Sequence, residues 1–406
     1  MLNHYIKALY NRIFGDGKGV ISYNVVLDKA YLRTLRQRWE TRIIDNTQGA
    51  YLYRSFCQYK CQMHKLPMWK VAIVNCLSVI ILPVCLISFL LFGLIYRTKS
   101  RNEDQGNTAV CIEESNYIHD LIPEKLSRSY NIKYLETKLF ILEINDFNFL
   151  FKLIRKEFFL SPYFLLKSIV KVALYSFICR VYSPRAIITT REYSFSSSIL
   201  TCYLMAKNIN HINIMHGDRL YEINVSFFRF TECWVWDQHY IHLYEELGAS
   251  SGQFRLYLPP RHLRLRNMNS GGAHLNLNRL KYYWSFESNP RELSYIRDML
   301  RRLKEKGIDI TIRYHPLHER RFIKKVRPYF SDFVVENPSF KNIYQSLSET
   351  HYVLGTYTTV LGEALIMGKE IVLNDFNKNI EALTQLGFII IEKGSFVNLS
   401  ELINNI

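Results

Sequence analysis

The chain has 406 residues, 48% hydrophobic and 22% charged, which is enough apolar material for a large core and two to three domains, so global disorder and a single small module are both excluded. Its 52 Lys and Arg outnumber 36 Asp and Glu by 16, making it a polycation drawn to phosphates, nucleic acid or anionic lipid. Seventeen glycines and eleven prolines exclude collagen-like and low-complexity sequence, and eight cysteines spread from Cys57 to Cys233 form no small-domain disulfide framework.

Residues 1–70 form a basic N-terminal region. Cys57, Cys61 and His64 superficially resemble half a zinc site, but the second ligand pair is missing, so no metal is expected. Residues 71–96 follow as 26 consecutive uncharged positions, meeting the roughly 20 that a bilayer-embedded helix needs. The run begins too far into the chain for a cleaved signal peptide. Lys70 on one flank and Arg97, Lys99 and Arg101 on the other weaken any charge asymmetry across it, and Pro83 stands at its centre. That pattern favours a re-entrant hairpin or a deeply embedded interfacial helix over a straight span, with membrane lipid as a partner. The polar stretch 97–108 reads as a linker.

From there, short apolar runs alternate with helical stretches. Residues 108–115 read as a strand, 147–182 as an aromatic-rich helical region, 185–197 as a strand entering a polar loop, 211–218 as a strand with a polar tip and 232–237 as a further strand. A Pro-Pro and Gly-Gly interruption at 259–280 separates this first domain, 109–260, from a second, 275–395. The second series opens with the strand ending in SFESN, a helix begun by Pro290 and closed at Gly307, and the strand ITIRYHP. FVVEN, a helix near 339–348, the strand HYVLG, a helix beginning TTVLGEA and the strand KEIVL complete it. The fold class expected is α/β: two doubly wound parallel-sheet domains facing a cleft, preceded by a helical N-terminal region carrying the membrane-embedded segment.

Strand carboxyl ends are where ligands bind in such sheets, and the candidate residues cluster there. ITIRYHP delivers Arg313, His315 and Pro316: a guanidinium fork for phosphate, an imidazole donor and a strand stop. The turn bearing Thr356, Thr358 and Thr359 leads into a helix whose free amides and dipole suit an anion, and Glu363 one turn on can accept from sugar hydroxyls; the bland alternative is simple helix capping. Ser285 and Ser288 precede a helix in the same way. In the first domain, His216 and Asp218 flank Gly217 at a strand tip, a pair suited to general-base work, against the plain reading of a turn in which Asp218 bonds its own backbone. Glu192, beside Arg191, is a second-choice base.

Together, the His216-Gly217 tip, Arg313-Tyr314-His315-Pro316 and Thr356-Tyr357-Thr358-Thr359 followed by Glu363-Ala364 resemble the two-Rossmann (GT-B) glycosyltransferases of bacterial surface polysaccharide synthesis, O-antigen and capsule among them. Bacterial sialyltransferases are similar in having a His-Pro motif and a Ser/Thr pair that bind a CMP moiety, matched here by His315-Pro316 and Thr358-Thr359, whereas the acidic motif supplying their base has no exact counterpart. CDP-glycerol and Kdo transferases share a similar layout. The resemblance implies an inverting displacement with a nucleotide-sugar donor, CMP-linked sialic acid first among them, a glycan or lipid-linked oligosaccharide acceptor, no other cofactor, and a place at the cytoplasmic face of a bacterial inner membrane. In that scheme Asp218 or His216 takes the acceptor proton while His315, Arg313 and the threonine turn hold the departing phosphate, so no metal is needed. The non-enzymatic alternative is a membrane-anchored polyanion-binding protein, although no nucleic-acid-binding module is recognisable.

Overall fold

The computed structural model describes residues 25–43, 48–95, 106–114, 118–153, 155–269 and 278–405. Three helices come first: α1 (Val25–Ile43), α2 (Gln48–His64) and α3 (Met68–Ile95). The chain divides by its internal packing into two compact units, Val26–His216 with Glu222–Pro260, and Gly217–Tyr221 with Arg261–Ile406.

The sheet of the first unit is built from β1 (Thr108–Cys111), β2 (Asn131–Tyr134), β3 (Ala186–Thr189), β4 (Asn210–Ile214), β5 (Glu232–Val235) and β6 (Phe254–Leu256). All of its pairings are parallel and the order is β2-β1-β3-β4-β5-β6. Parallel strands covered on both faces read as unbroken apolar runs, and Ala109, Cys111, Ile188, Ile212 and Ile214 accordingly form its core. Helices α4 (Pro162–Tyr182), α5 (Ser197–Met205) and α6 (Gln238–Glu246) supply crossovers.

Helices α1 and α2 pack into this unit. Ser55 accepts the Ile199 amide at 3.0 Å, and Gln58 donates to the carbonyls of Glu192 (2.8 Å) and Asn224 (2.9 Å), so these buried polar side chains on α2 have partners. Phe56 and Tyr59 join Phe158, Phe164 and Phe195 in one aromatic cluster.

Helix α3 is continuous through Pro83, which overturns the expected hairpin. Proline removes one rung of the helix ladder, but Pro83 lies on the exposed face, and the helix is fastened to the unit on both sides of it. Asn75 accepts the Tyr163 amide at 3.2 Å, the Phe89 carbonyl accepts from Leu142 at 3.0 Å and the Gly93 carbonyl accepts from Arg180 at 3.0 Å. Gly93 is required for this approach, since a Cβ there would run into the Leu142 carbonyl.

The second unit holds β7 (Arg279–Trp284), β8 (Asp309–Tyr314), β9 (Val334–Glu336), β10 (Tyr352–Gly355), β11 (Glu370–Leu373) and β12 (Val397–Asn398), all parallel in the order β12-β11-β10-β7-β8-β9. Counted from β9, this is the 3-2-1-4-5-6 order of a dinucleotide-binding sheet, whose direction of winding reverses between β7 and β10. Helix α7 (Pro290–Glu305) is capped by Asn289, whose side chain accepts from Arg291, and ends before Gly307 at φ +87°. Its Leu293, Ile296 and Leu300 pack on Leu280, Tyr282 and Ile312. Helix α8 (Thr359–Ile366) follows β10. The pair of Rossmann-like α/β domains is therefore present. Strands β2, β6 and β12, and a helix at Pro260–Asn269 where an irregular break was expected, add to the sequence reading.

Candidate functional site

In the second unit the carboxyl ends of β7 and β10 flank the winding reversal. Ser285, just past β7, donates its hydroxyl to the Tyr357 carbonyl, just past β10, at 3.0 Å, tying the two loops together. Thr358 caps α8, accepting from the Val360 amide at 3.4 Å. Thr359 accepts the Asp218 amide at 3.4 Å, and the Tyr357 hydroxyl donates to the Asp218 carbonyl at 3.1 Å. The segment Gly217–Tyr221 thus packs as part of the second unit, which brings Asp218 beside the threonine turn. The Asp218 carboxylate accepts its neighbour Arg219's amide at 2.7 Å, the turn-forming role that the plain reading gave it.

Other expected donor-binding residues divide. Thr356 is buried, accepting from Asn374, which also holds Glu292 at 2.8 Å; burial, and then Glu287, raise the Glu292 carboxyl above its usual range. Glu363 is buried on α8 with Arg261 at 3.5 Å, and burial raises its carboxyl despite that partner. Ser288 is exposed and leaves helix capping to Asn289. Arg313 is buried, and its guanidinium is committed to the Glu336 carboxylate and the Lys341 carbonyl. The β8–β9 register places Arg313 directly opposite Glu336, so the arginine holds the sheet together rather than reaching out as a phosphate fork.

His315 behaves differently although it is only two residues further on. It is exposed at the tip of β8, and its Nδ1 accepts the Leu317 amide at 3.2 Å, which fixes the ring's hydrogen on Nε2 in the neutral form. Desolvation, and then the neighbouring His318, lower its pKa, so at neutral pH it is a neutral Nε2–H donor. Pro316 opens the short turn Pro316–His318 that sets this geometry.

The first unit's sheet reverses between β1 and β3, and charged side chains gather at that edge. Arg191 donates through Nε to Glu113 at 2.9 Å, and Thr189 donates to the same carboxylate oxygen at 3.3 Å. Glu192 is fully buried; its Oε2 accepts from Asn213 at 3.3 Å and its Oε1 lies 3.8 Å from His216 Nδ1. Glu192 thus lies beside His216 without a hydrogen bond at this distance.

Sequence reasoning missed Glu113, Lys167 and Lys171. The two lysines stand one turn apart on α4, in electrostatic range of Arg191; burial, then Lys171 and Arg191, pull Lys167 down to about 7, and burial, then Arg191, pulls Lys171 to about 8. The 3.6-residue spacing of the two lysines was the available signal, masked by the aromatic residues around them. Among the described residues no group of three or more His, Cys, Asp or Glu side chains is placed to hold a metal ion. Cys57 and Cys61 are buried, and His64 stacks on Tyr31 at 3.9 Å.

No protein-family model matches the chain, and no curated protein sequence matches it. Among solved structures it is similar to a UDP-N-acetylglucosamine 2-epimerase from Rickettsia bellii, at 12% identity over 71% of this chain and 92% of that one, with a TM-score of 0.45. A UDP-GlcNAc 2-epimerase from Methanocaldococcus jannaschii, in complex with UDP-GlcNAc and UDP, matches at 10% identity over 73% and 91%, TM-score 0.46. The wall teichoic acid polymerase TagF matches at 10% identity over 74% and 79%, TM-score 0.40. Likenesses this distant decide neither fold nor activity; the fold rests on the strand order itself.

Proposed function

We propose that the chain is a transferase that moves a sugar from a nucleotide-linked donor to a hydroxyl of a glycan or lipid-linked acceptor at the cytoplasmic face of a membrane, with CMP-linked sialic acid as the first donor to test. The observation that carries this reading is the Ser285–Tyr357 bond at the reversal of a 3-2-1-4-5-6 sheet, beside the N-terminus of α8. Nucleotides bind at such reversals, and the first amides of a helix favour a phosphate. Hydroxyls and backbone dipoles stand at this edge beside the Glu287 carboxylate, which is occupied in accepting the Ser285 and Phe286 amides at 3.1 Å.

In the reaction, His216 serves as the base. Glu192 faces its Nδ1, favouring the tautomer with hydrogen there, so Nε2 takes the acceptor's proton and Glu192 stabilises the imidazolium that results. The acceptor oxygen then forms its bond to the sugar's anomeric carbon as the bond to the nucleotide phosphate breaks. His315 Nε2–H and the α8 amides donate to the phosphate oxygens and stabilise the charge left on them. Asp218 remains the alternative base.

The test is thermal unfolding of the detergent-purified chain with CMP, CDP, UDP and GDP, because a ligand that binds only the native state raises the melting temperature. Stabilisation by CMP that His315→Ala removes, with turnover of CMP-sialic acid undiminished in EDTA, supports the reading. A response to CDP, with turnover of CDP-glycerol, transfers the same site to that donor class. No response to any nucleotide, together with salt-sensitive retention on a polyanion, points to the non-enzymatic alternative and defeats the transferase assignment.

A further inference from the structure

We propose that α3 and the apolar residues at its two ends form a monotopic membrane face: the helix lies in the surface of an anionic bilayer, with the whole of the described chain on one side, and does not cross it. This goes beyond the transferase reading and does not depend on its donor site.

The docked stripe of α3 follows Val74, Ser78, Cys85, Phe89 and Gly93, a helical repeat with the small residues Ser78 and Gly93 near its ends. The bonds at Asn75, Phe89 and Gly93 hold about 27 Å of the helix's roughly 42 Å, by helix geometry, along the first unit. A helix that spanned the bilayer would carry α4 to the same depth, and with it Lys167, Lys171 and Arg180, charges that hydrocarbon does not tolerate without aqueous or ionic partners. Spanning and docking are therefore incompatible, and the structure shows docking.

The rest of the helix circumference is apolar and uncovered. Ile80 is 68% exposed, Val84 62%, Ile87 59% and Leu91 52%, and these four lie on one outward stripe. A helix apolar on all sides needs a cover on all sides. At one end, exposed Phe159 and Leu160 lie just before Tyr163, which binds Asn75; at the other, exposed Ile144 follows Leu142, which binds Phe89. The apolar surface thus continues onto neighbouring elements, wider than the seam that a single partner helix covers.

Its borders are amphipathic and positive. Exposed Trp69 carries the Lys70 ammonium 5.6 Å from its ring at the start of α3, the arrangement of a headgroup-level anchor. Beyond the Gly93 end, Arg180, Arg185 and Lys207 line a cavity of about 430 Å³ with Ser176 and Asn208; Glu143 pairs with Arg180 at 3.7 Å and the buried Asp146 with Lys207 at 3.3 Å, so Arg185 leaves a net positive border. Anionic lipid complements this border, whereas a second copy would set one chain of net charge +16 against another.

The experiment uses the full chain from detergent, floated with phosphatidylcholine vesicles with or without phosphatidylglycerol. The parent chain is expected to float, and better with phosphatidylglycerol. The double variant Ile80→Asp with Ile87→Asp should float about tenfold less while keeping the parent melting temperature in detergent, and Arg185→Glu should lose only the preference for anionic lipid. Topology is read in spheroplasts with a membrane-impermeant maleimide, as labelling above the parent level at Gln37→Cys, before α3, and Ser127→Cys, after it; both residues are exposed. Equal reactivity of the two, in intact and in lysed cells, is expected. Labelling from opposite sides would establish a span and overturn the proposal. So would a double variant that floats like the parent, or one that turns a detergent-purified dimer into a monomer, which would assign the face to a second copy.

Discussion

Each unit reverses its sheet beside its first strand, between β1 and β3 in one and between β7 and β10 in the other, but the two reversals carry different chemistry. In the first, Glu113, Arg191, Glu192 and His216 gather at the strand ends, a set of titratable groups joined by ion pairs and hydrogen bonds. In the second, the Ser285 and Thr358 hydroxyls and backbone groups stand at the reversal, the Glu287 carboxylate there is taken up by the Ser285 and Phe286 amides, and the nearby cation, Arg313, is turned inward onto Glu336. Groups that titrate suit moving a proton, and fixed dipoles suit holding a charge that stays in place. The first reversal thus binds its titratable groups into ion pairs, whereas the second ties its two loops through a hydroxyl and a carbonyl.

The sharpest way to break this division is to remove the proton carrier. His216→Ala should lower turnover about 10²- to 10⁴-fold while leaving nucleotide-induced stabilisation intact. Asp218→Asn, which preserves the acceptor for the Arg219 amide, should cost less than about tenfold; the opposite ranking, measured under saturating donor, would give Asp218 the base role. Next in size, His315→Ala should reduce turnover about 10²- to 10³-fold and also abolish the nucleotide shift, the double loss that separates a phosphate contact from a base.

Arg313→Ala tests the inward-facing cation. It should destabilise the chain by about 2–4 kcal/mol in denaturant unfolding, because it removes one partner of a buried pair, yet leave the turnover of the folded fraction within about threefold. A selective loss of nucleotide affinity would instead return Arg313 to the donor site. The same cluster predicts acid sensitivity. Burial would raise the Glu336 carboxyl, but hydrogen bonds from Lys281, Ser346 and Arg313 outweigh it and hold the group at about 2. A depressed folded pKa gives stability that is present above the unfolded value, about 4.3, and is lost as pH falls towards 2, so the melting temperature should drop across that window and drop less in Glu336→Gln. The smallest effect expected is Thr358→Ala, about 1 kcal/mol from the lost cap of α8.

What the sequence revealed follows the range of the interactions involved. Strands β1, β3, β4, β7, β8 and β10 were legible because burial on both faces leaves unbroken apolar runs, and the threonine turn because a helix start has a local signature. The fate of Arg313 was not, because it depends on the β8–β9 register that sets Glu336 opposite it. Glu113 was hidden for the same reason: its partner Arg191 comes from another strand, across the β1–β3 pairing. Pro83 misled because a local rule for helix breaking was outweighed by attachments on both sides of it, at Asn75 and at Phe89 and Gly93. The short strands β2, β6 and β12 owe their conformation to neighbours in the sheet rather than to their own residues.

The order of synthesis gives α3 a second significance. It leaves the ribosome complete before any residue of α4 exists, and at ordinary translation speeds roughly ten seconds pass before Tyr182 follows. During that interval its docking stripe is bare, and the targeting machinery meets a naked apolar helix indistinguishable in length and composition from a span. The Asn75, Phe89 and Gly93 contacts thus form only after that interval, once Tyr163, Leu142 and Arg180 have been made.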